Sequence, residues 1–306
     1  MGTKRDEAAS YEHDVAVVFD RLSERYSAAY TDYACDLAGV HAGEQALDVG
    51  TGTGMMARAL GSRLGGSGKV LGVDLSEGML EYAAERGRKL GLTPHIVKFA
   101  RGDAEKLEVA DSSVDLVTSL FLLRHLPHPE LAAREMLRVL RPGGRFVVGV
   151  GSAGPWVSAR GTRYRARRLR VLVEERLGLS LLAPQFILKM VESHLCGEPR
   201  LHGTEGSSAL STRSGPRTEA LLRKTGFTEL RSSWRGHVDG IEDPEEFWEL
   251  SLHFSSAARY RILGARPEAV ERLRAAFLST CNQVLDRGGS LVYPHGAWFV
   301  RGRRPR

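Results

Sequence analysis

Paired cysteines, long apolar runs and internal repeats are all missing from this chain of 306 residues. Its three cysteines, Cys35, Cys196 and Cys281, stand far apart and without paired spacing, which argues against a zinc site and suits a reducing compartment. No other metal site is expected. No run approaches the roughly 18 apolar residues of a membrane span. The first residues carry charges of both signs and lead into no apolar segment, so a secretory signal is not expected and a soluble, cytoplasmic protein is. A hydrophobic content of 42% with 26% charged residues is that of a globular chain. The length allows one large domain or one domain with a substantial insertion.

What the chain has in excess is arginine. A formal charge of +6 fits a nucleic-acid partner, an acidic small substrate or plain solubility, so position decides more than the total. Arg160, Arg163, Arg165, Arg167, Arg168 and Arg170 form one run, and Arg301, Arg303, Arg304 and Arg306 lie close together near the end. A solvated helix face and a frayed end account for these more simply than a nucleic-acid surface does.

The stretch that organises the chain is Ala46-Leu47-Asp48-Val49-Gly50-Thr51-Gly52-Thr53-Gly54, an apolar run that closes on alternate glycines and passes into a helical pattern. Strand, tight turn and helix start follow from it, and glycines there let a ligand lie against bare main chain beside unpaired helix N–H groups. Met55 stands where a dinucleotide fingerprint would need its third glycine. Ahead of this turn, residues 11–39 carry apolar side chains at helical spacing. Behind it, strands at 69–74, 95–101, 114–120 and 145–150 alternate with helices at 55–64, 77–90 and 131–140. Such alternation implies parallel βαβ units and a doubly wound sheet with ligand chemistry at the carboxyl ends of its strands.

After Val150 the rhythm breaks. Residues 156–197 read as helical with an interruption near Pro184, and 202–215 are rich in Gly, Ser and Thr. A helix at 218–224 leads to a strand at 227–234. A second helical insertion covers 244–261 and 267–285, and a last strand covers 290–300, with Pro294 marking a bulge or an edge.

Several motifs, in order and correctly separated, resemble those of class I S-adenosylmethionine-dependent methyltransferases, in particular the ubiquinone/menaquinone C-methyltransferase-like branch that acts on small molecules. They are Leu47 to Gly54; Gly72-Val73-Asp74-Leu75-Ser76 with Met79-Leu80; Gly102-Asp103-Ala104-Glu105-Lys106-Leu107; Ser113-Val114-Asp115-Leu116-Val117 with His125-Leu126-Pro127; and Glu135 through Gly144. The resemblance runs from about residue 19 to 150 and returns in the last strands. It implies a mostly parallel, seven-stranded Rossmann-like sheet with N-terminal helices and two helical cap insertions. The divisions expected are an N-terminal helical lid (1–40), a cofactor-binding core (41–150), a cap (151–215) and the rest of the core with a second insertion at about 241–287 (216–306).

The cofactor implied is S-adenosyl-L-methionine, with S-adenosyl-L-homocysteine as product. Asp74 ends the second strand about twenty residues past the glycine turn, where a carboxylate can accept both ribose hydroxyls. By resemblance, Asp103 accepts from the adenine amino group with Leu75 and Ala104 flanking the ring. In the same way Asp48, Gly50, Gly52 and Gly54 take the methionine end, while Met79 and Leu120 line the site. Other readings stand beside these: an Asx turn for Asp103, a turn-bracing carboxylate for Asp48, a core leucine for Leu120. His125 is the candidate base if the acceptor must lose a proton, and otherwise a structural histidine of its turn. Tyr26 matches the tyrosine of the family's Phe-Asp preface, here Phe19 and Asp20, and either closes over the cofactor or packs within the helix.

The turn Ser119-Leu120-Phe121-Leu122 lacks the Asn/Asp-Pro-Pro-aromatic motif of relatives that methylate nucleobase or amide nitrogens, so nucleic acid is not the expected partner. Leu122-Leu123-Arg124-His125 differs from the Arg-Asn turn of the quinone enzymes, and the cysteines do not match the arsenite methyltransferases. The expectation is therefore methyl transfer to O, C or N of a small hydrophobic or aromatic metabolite of specialised metabolism, with a homodimer left open. The alternatives are a non-methylating, cyclase-type enzyme that keeps the same cofactor and an RNA methyltransferase that uses the arginine run.

Overall fold

The computed structural model describes residues 13–151, 159–198 and 215–306. The helix start expected at Trp156, the first residues of the N-terminal helix, and nearly all of the Gly-, Ser- and Thr-rich segment lie outside these residues. The chain forms two compact units, one of residues 3–152, 206–234 and 297–306 and the other of residues 153–205 and 235–296 together with the first two residues.

Among the described residues the larger unit begins with a long helix, α1 (His13–Ala38), whose buried side chains Leu22, Tyr26, Tyr30, Ala34 and Ala38 recur every fourth residue. It ends at Gly39, a left-handed position with φ +55°. Strand and helix then alternate: β1 (Gln45–Val49), α2 (Met55–Arg63), β2 (Lys69–Asp74), α3 (Glu77–Lys89), β3 (Val97–Arg101), β4 (Val114–Leu120), a 3-10 turn (Leu123–His125), α4 (Pro129–Val139) and β5 (Leu140–Gly151). Ser76 caps α3 by accepting from the Met79 N–H. Later come α7 (Gly215–Thr225), the start of β7 (Thr228–Ile241) and the end of β8 (Ser290–Arg303).

All pairings among β3-β2-β1-β4-β5 are parallel, and β8 runs antiparallel to β5 from Arg145↔Arg303 to Gly151↔Ala297. The full strand order is 3-2-1-4-5-8-6, with β7 on β8. Alternation along the strands feeds two cores. Leu47, Val117, Phe146 and Val148 pack with Met136 and Leu222 of α4 and α7, and Ala46, Leu116, Val147 and Phe299 pack with Tyr30, Met56 and Leu60 of α1 and α2.

In the other unit, α5 (Ala159–Arg176), β6 (Ser180–Leu182), α6 (Ala183–His194), α8 (Pro244–His253), α9 (Ser256–Leu263) and α10 (Pro267–Asp286) surround an aromatic core. Phe186, Phe247 and Trp248 lie within 4.6–5.7 Å, centroid to centroid, of Phe277. These aromatics form the unit's own interior. The His295 Nε2–H donates to the Asp239 carboxylate at 2.5 Å, and the ring stacks on Tyr293.

Several sequence expectations are corrected. The helix read across 244–261 is two, because Ser255 caps a new one by accepting from the Ala258 N–H. The interruption near Pro184 contains a short strand, β6, paired in parallel with β8 at Ser180↔Ser290. The strand at 227–234 runs on to Ile241, and β5 begins at Leu140 rather than Arg145, because Leu140 pairs with Val114 across a register shift. Pro294 falls between the register with β6 and that with β5. The arginine end is not frayed: Arg301 and Arg303 are strand residues, and Arg304 donates to the carbonyls of Leu137, Arg138 and Leu140 at the end of α4.

Two helical glycines separate packing from propensity. A Cβ on Gly61 of α2 would meet Val97 Cγ2 at 2.3 Å, whereas one on Gly87 of α3 would meet only Phe99 at 3.8 Å. Gly61→Ala is expected to destabilise the fold by about 1–3 kcal/mol and Gly87→Ala to stabilise it by about 0.5–1 kcal/mol, as read from urea unfolding midpoints.

Candidate functional site

The site grows from the end of β1. Gly50, Gly52 and Gly54 hold φ of +73°, +53° and +79°, a region closed to most side chains. The first and last are also fixed by contact, since a Cβ at Gly50 would meet Leu122 at 2.8 Å and one at Gly54 would meet Phe99 at 2.7 Å. A Cβ on Gly52 would meet none of the described residues within 4 Å, so among them the turn is open at its middle glycine. The N–H groups of Gly50 and Thr51 both donate to the Val73 carbonyl, at 2.8 and 3.0 Å, which draws the turn onto β2. No side chain caps α2 at Gly54.

Asp74, at the end of β2, braces the same turn. Its Oδ2 accepts from the Gly52 N–H at 2.8 Å and its Oδ1 from the Ser76 N–H at 3.0 Å. Burial pushes its carboxyl above the usual range despite these bonds. Asp48 is 1% exposed and has one bonded oxygen, Oδ1, which accepts from the Thr118 hydroxyl at 2.7 Å. Among the described residues its Oδ2 has no hydrogen-bond partner of normal geometry, nor has the buried Thr51 hydroxyl. Burial lifts the Asp48 carboxyl to about 6, with Thr51 and Thr118 opposing the rise and the Asp74 charge adding to it. Two acids that both resist ionisation form a place suited to a cation or a hydroxyl-rich group.

Asp103 follows β3 and closes an Asx turn, its Oδ1 accepting from the Glu105 N–H at 2.9 Å. Ala104 and Met79 are buried and Leu75 is half-buried. Half-buried Leu120 ends β4, and a Cβ on Gly149 would touch it at 2.8 Å. Phe121 then takes φ +63°, a strained value for an aromatic residue, while its N–H donates to the Gly149 carbonyl at 2.7 Å. That bend leads into the turn holding His125, whose Nε2 accepts from Arg124 Nε at 2.9 Å. Its imidazole lone pair is engaged by a cation, and that contact has to open before Nε2 can accept a proton. Tyr26 is 7% exposed on α1, with the Arg25 guanidinium 5.6 Å from its ring centre.

Sequence reasoning missed Arg58. This guanidinium is buried at the start of α2, donates to the Thr53 carbonyl inside the glycine turn, and pairs with Asp20 of α1 at 3.0 Å. Asp20 also accepts from Tyr82 of α3 at 3.1 Å and faces Arg86 at 3.6 Å. The signal was a charged residue adjoining the buried stripe Ala57, Leu60 and Leu64. Thr51, Thr118 and Phe99 were missed too, since nothing in strand periodicity marks which polar or aromatic residue reaches the turn. Removing Asp20 leaves Arg58 charged and buried, so Asp20→Ala is expected to cost about 3–5 kcal/mol, and the double variant with Arg58→Met to recover much of that loss in denaturant titrations.

A cofactor with a cationic amino-acid end fits these residues: Asp48 has an orphaned buried oxygen, Thr51 an orphaned hydroxyl, and the glycine turn is open at Gly52. The comparisons agree with this geometry. A family model described as a methyltransferase domain matches residues 47–148. The chain is 37% identical over 149 residues, 47% of its length, to the ubiquinone/menaquinone biosynthesis C-methyltransferase UbiE of Pseudomonas fluorescens, and 36% identical to that of Pseudomonas putida. It spans 58% of the length of these relatives. Among solved structures, it resembles the YcgJ protein of Bacillus subtilis (TM-score 0.54, 16% identity, covering 90% of this chain and 98% of that one). It also resembles the [4+2]-cyclase SpnF (TM-score 0.52, 22% identity, 91% and 81%), both likenesses being of fold. The glycine turn with its two following carboxylates thus lies in a methyltransferase domain at residues 47–148, and over that stretch the chain is similar to class I S-adenosylmethionine-dependent methyltransferases.

Proposed function

We propose that this protein transfers a methyl group from S-adenosylmethionine to an oxygen, carbon or nitrogen of a small hydrophobic or aromatic metabolite, in the cytoplasm. The observation that carries the cofactor's placement is the unpartnered, buried Oδ2 of Asp48 beside the open glycine turn. In this reading Asp48 receives the methionine ammonium, directly or through water, and Gly50, Gly52 and Gly54 let that end approach the main chain. Asp74 takes the ribose hydroxyls. Asp103 takes the adenine amino group, with Leu75 and Ala104 against the ring and Met79 and Leu120 completing the walls.

The cofactor supplies an activated methyl group on a sulfonium, so the protein's task is chiefly to hold the acceptor in line with it. Tyr26 helps to close the methionine end, on a helix that the Asp20 pair fixes to α2 and α3. His125 takes the acceptor's proton where one must leave, once its bond from Arg124 opens.

Asp48 gives a test that needs no acceptor. Burial pushes its folded carboxyl up to about 6, above the ordinary aspartate range, so it binds a proton more tightly folded than unfolded. The free protein therefore gains stability as pH falls through 6 and loses it on rising through that value. A bound ammonium favours the carboxylate, so affinity for S-adenosylhomocysteine is expected to rise from about pH 5 to 7, with proton release near pH 6. Calorimetry in buffers of different ionisation heat reads this release. Asp48→Asn should abolish it, and an unchanged proton count would remove Asp48 from the cofactor site.

Turnover is tested on a panel of hydroxylated aromatic and polyketide-like acceptors. Adenosylhomocysteine should appear in step with methylated product, and His125→Ala should lower turnover by about 10²-fold with cofactor affinity unchanged if a protic acceptor is used. Product without adenosylhomocysteine would replace the transferase by a cofactor-retaining enzyme.

A further inference from the structure

Helix α5 carries an outward stripe that the proposed chemistry does not use. Leu169, Val173 and Leu177, four residues apart, are 63%, 52% and 69% exposed, while Tyr164 and Val171 on the opposite side are buried at 7% and 6%. The C-terminus of the helix fixes the stripe's end. The Gly178 N–H donates to the Glu175 carbonyl and the Leu179 N–H to the Glu174 carbonyl at 2.8 Å, with Gly178 at φ +68°. Leu179, which this closure would often tuck in, is 42% exposed.

The rim of the stripe is basic. At about 100° per residue, Arg163, Arg167 and Arg170 fall along one side of it and Arg176 along the other, all exposed. Of the helix's two acids, Glu174 lies on the arginine-rich flank and is held by Arg170 at 2.8 Å and by the Ser180 hydroxyl at 3.0 Å, leaving Arg163 and Arg167 in excess there, while Glu175 lies away from the stripe and pairs with Lys189.

We propose that this face of α5 docks on an anionic lipid surface, with the leucines and valine in the acyl boundary and the arginines among the phosphates. Both halves of the pattern are needed for that occupant and for no other considered. A second copy would bring arginine against arginine, since both flanks are basic. A nucleic acid would match the arginines and leave the apolar row in water. An interfacial helix with basic flanks and aliphatic centre meets headgroup charge and hydrocarbon at once. No described helix is long and apolar enough to cross a membrane, so the contact is peripheral. It is independent of the proposed transfer reaction, although it would bring the protein to a phase where hydrophobic acceptors dissolve.

The test is co-sedimentation of the full chain with vesicles of phosphatidylcholine containing about 30% phosphatidylglycerol, against phosphatidylcholine alone, at about 0.1 M salt. Binding is expected only to the anionic vesicles. The double variant Arg163→Gln/Arg167→Gln should weaken it on the order of 10-fold, and Leu169→Asn/Val173→Asn/Leu177→Asn should abolish it. Both variants should keep wild-type adenosylhomocysteine affinity, which shows that they fold. The proposal is overturned if the protein stays in solution or binds neutral vesicles equally. It is also overturned if the triple variant binds normally or dissolves a dimer seen by ultracentrifugation, or if RNA binds through the arginines with no dependence on the aliphatic row.

Discussion

The buried pair of Asp20 and Arg58 is the contact on which the geometry of this protein turns. Three helices meet at it, because Asp20 stands on α1, Arg58 on α2, and Tyr82 and Arg86 on α3. Arg58 also reaches back to the Thr53 carbonyl. A buried ion pair contributes little net stability over apolar residues of equal volume, yet losing one partner is costly. Its effect here is positional: the N-terminal helix cannot shift without exposing a charge to an apolar interior, and the glycine turn cannot change shape without losing a donor. A flexible glycine-rich segment is thereby given one conformation.

A second constraint lies a few ångströms along the same turn. Asp48 and Asp74 each raise the cost of ionising the other, and both sit where burial already opposes charge. Asp74 spends both oxygens on backbone amides, so it is scaffold for the turn. Asp48 spends only one. The asymmetry explains how neighbouring carboxylates at successive strand ends take different parts: one sets the shape of the cradle, and the other keeps an unmet demand for a donor.

Much of this was legible in the sequence. Alternate glycines after an apolar run, with an acid at or just past the end of each of the next two strands, announced the βαβ order that the sheet shows and pointed to those strand ends as the candidate site. What was not legible depended on partners far away in the chain. Arg58 looks like any helical arginine until Asp20 is placed beside it, and His125 looks like a free base until Arg124 is seen on its ring. Leu140 looks like a helix end, because the Pro142-Gly143-Gly144 turn chemistry masks its pairing with Val114. β6 spans only Ser180–Leu182, too short to show a period, and the insertion aromatics give no sign of whether they face each other or a ligand. The arginines near the end were misread for the same reason: their acceptors are carbonyls of α4.

That last clasp has a consequence for how the protein is made. β5 lies in the middle of the sheet, yet its partner on one side is β8, and Arg303 reaches the Gly143 carbonyl across 160 positions of chain. On a ribosome adding about 5–20 residues per second, β5 waits roughly 8–30 s with an open edge while the helices of the second unit are synthesised. The carbonyls ending α4 wait equally long for Arg304. Nascent chains therefore present an unpaired apolar strand at the heart of the methyltransferase domain throughout that interval. Slow translation, or release before the last strand, should make this a chain that depends on holding chaperones.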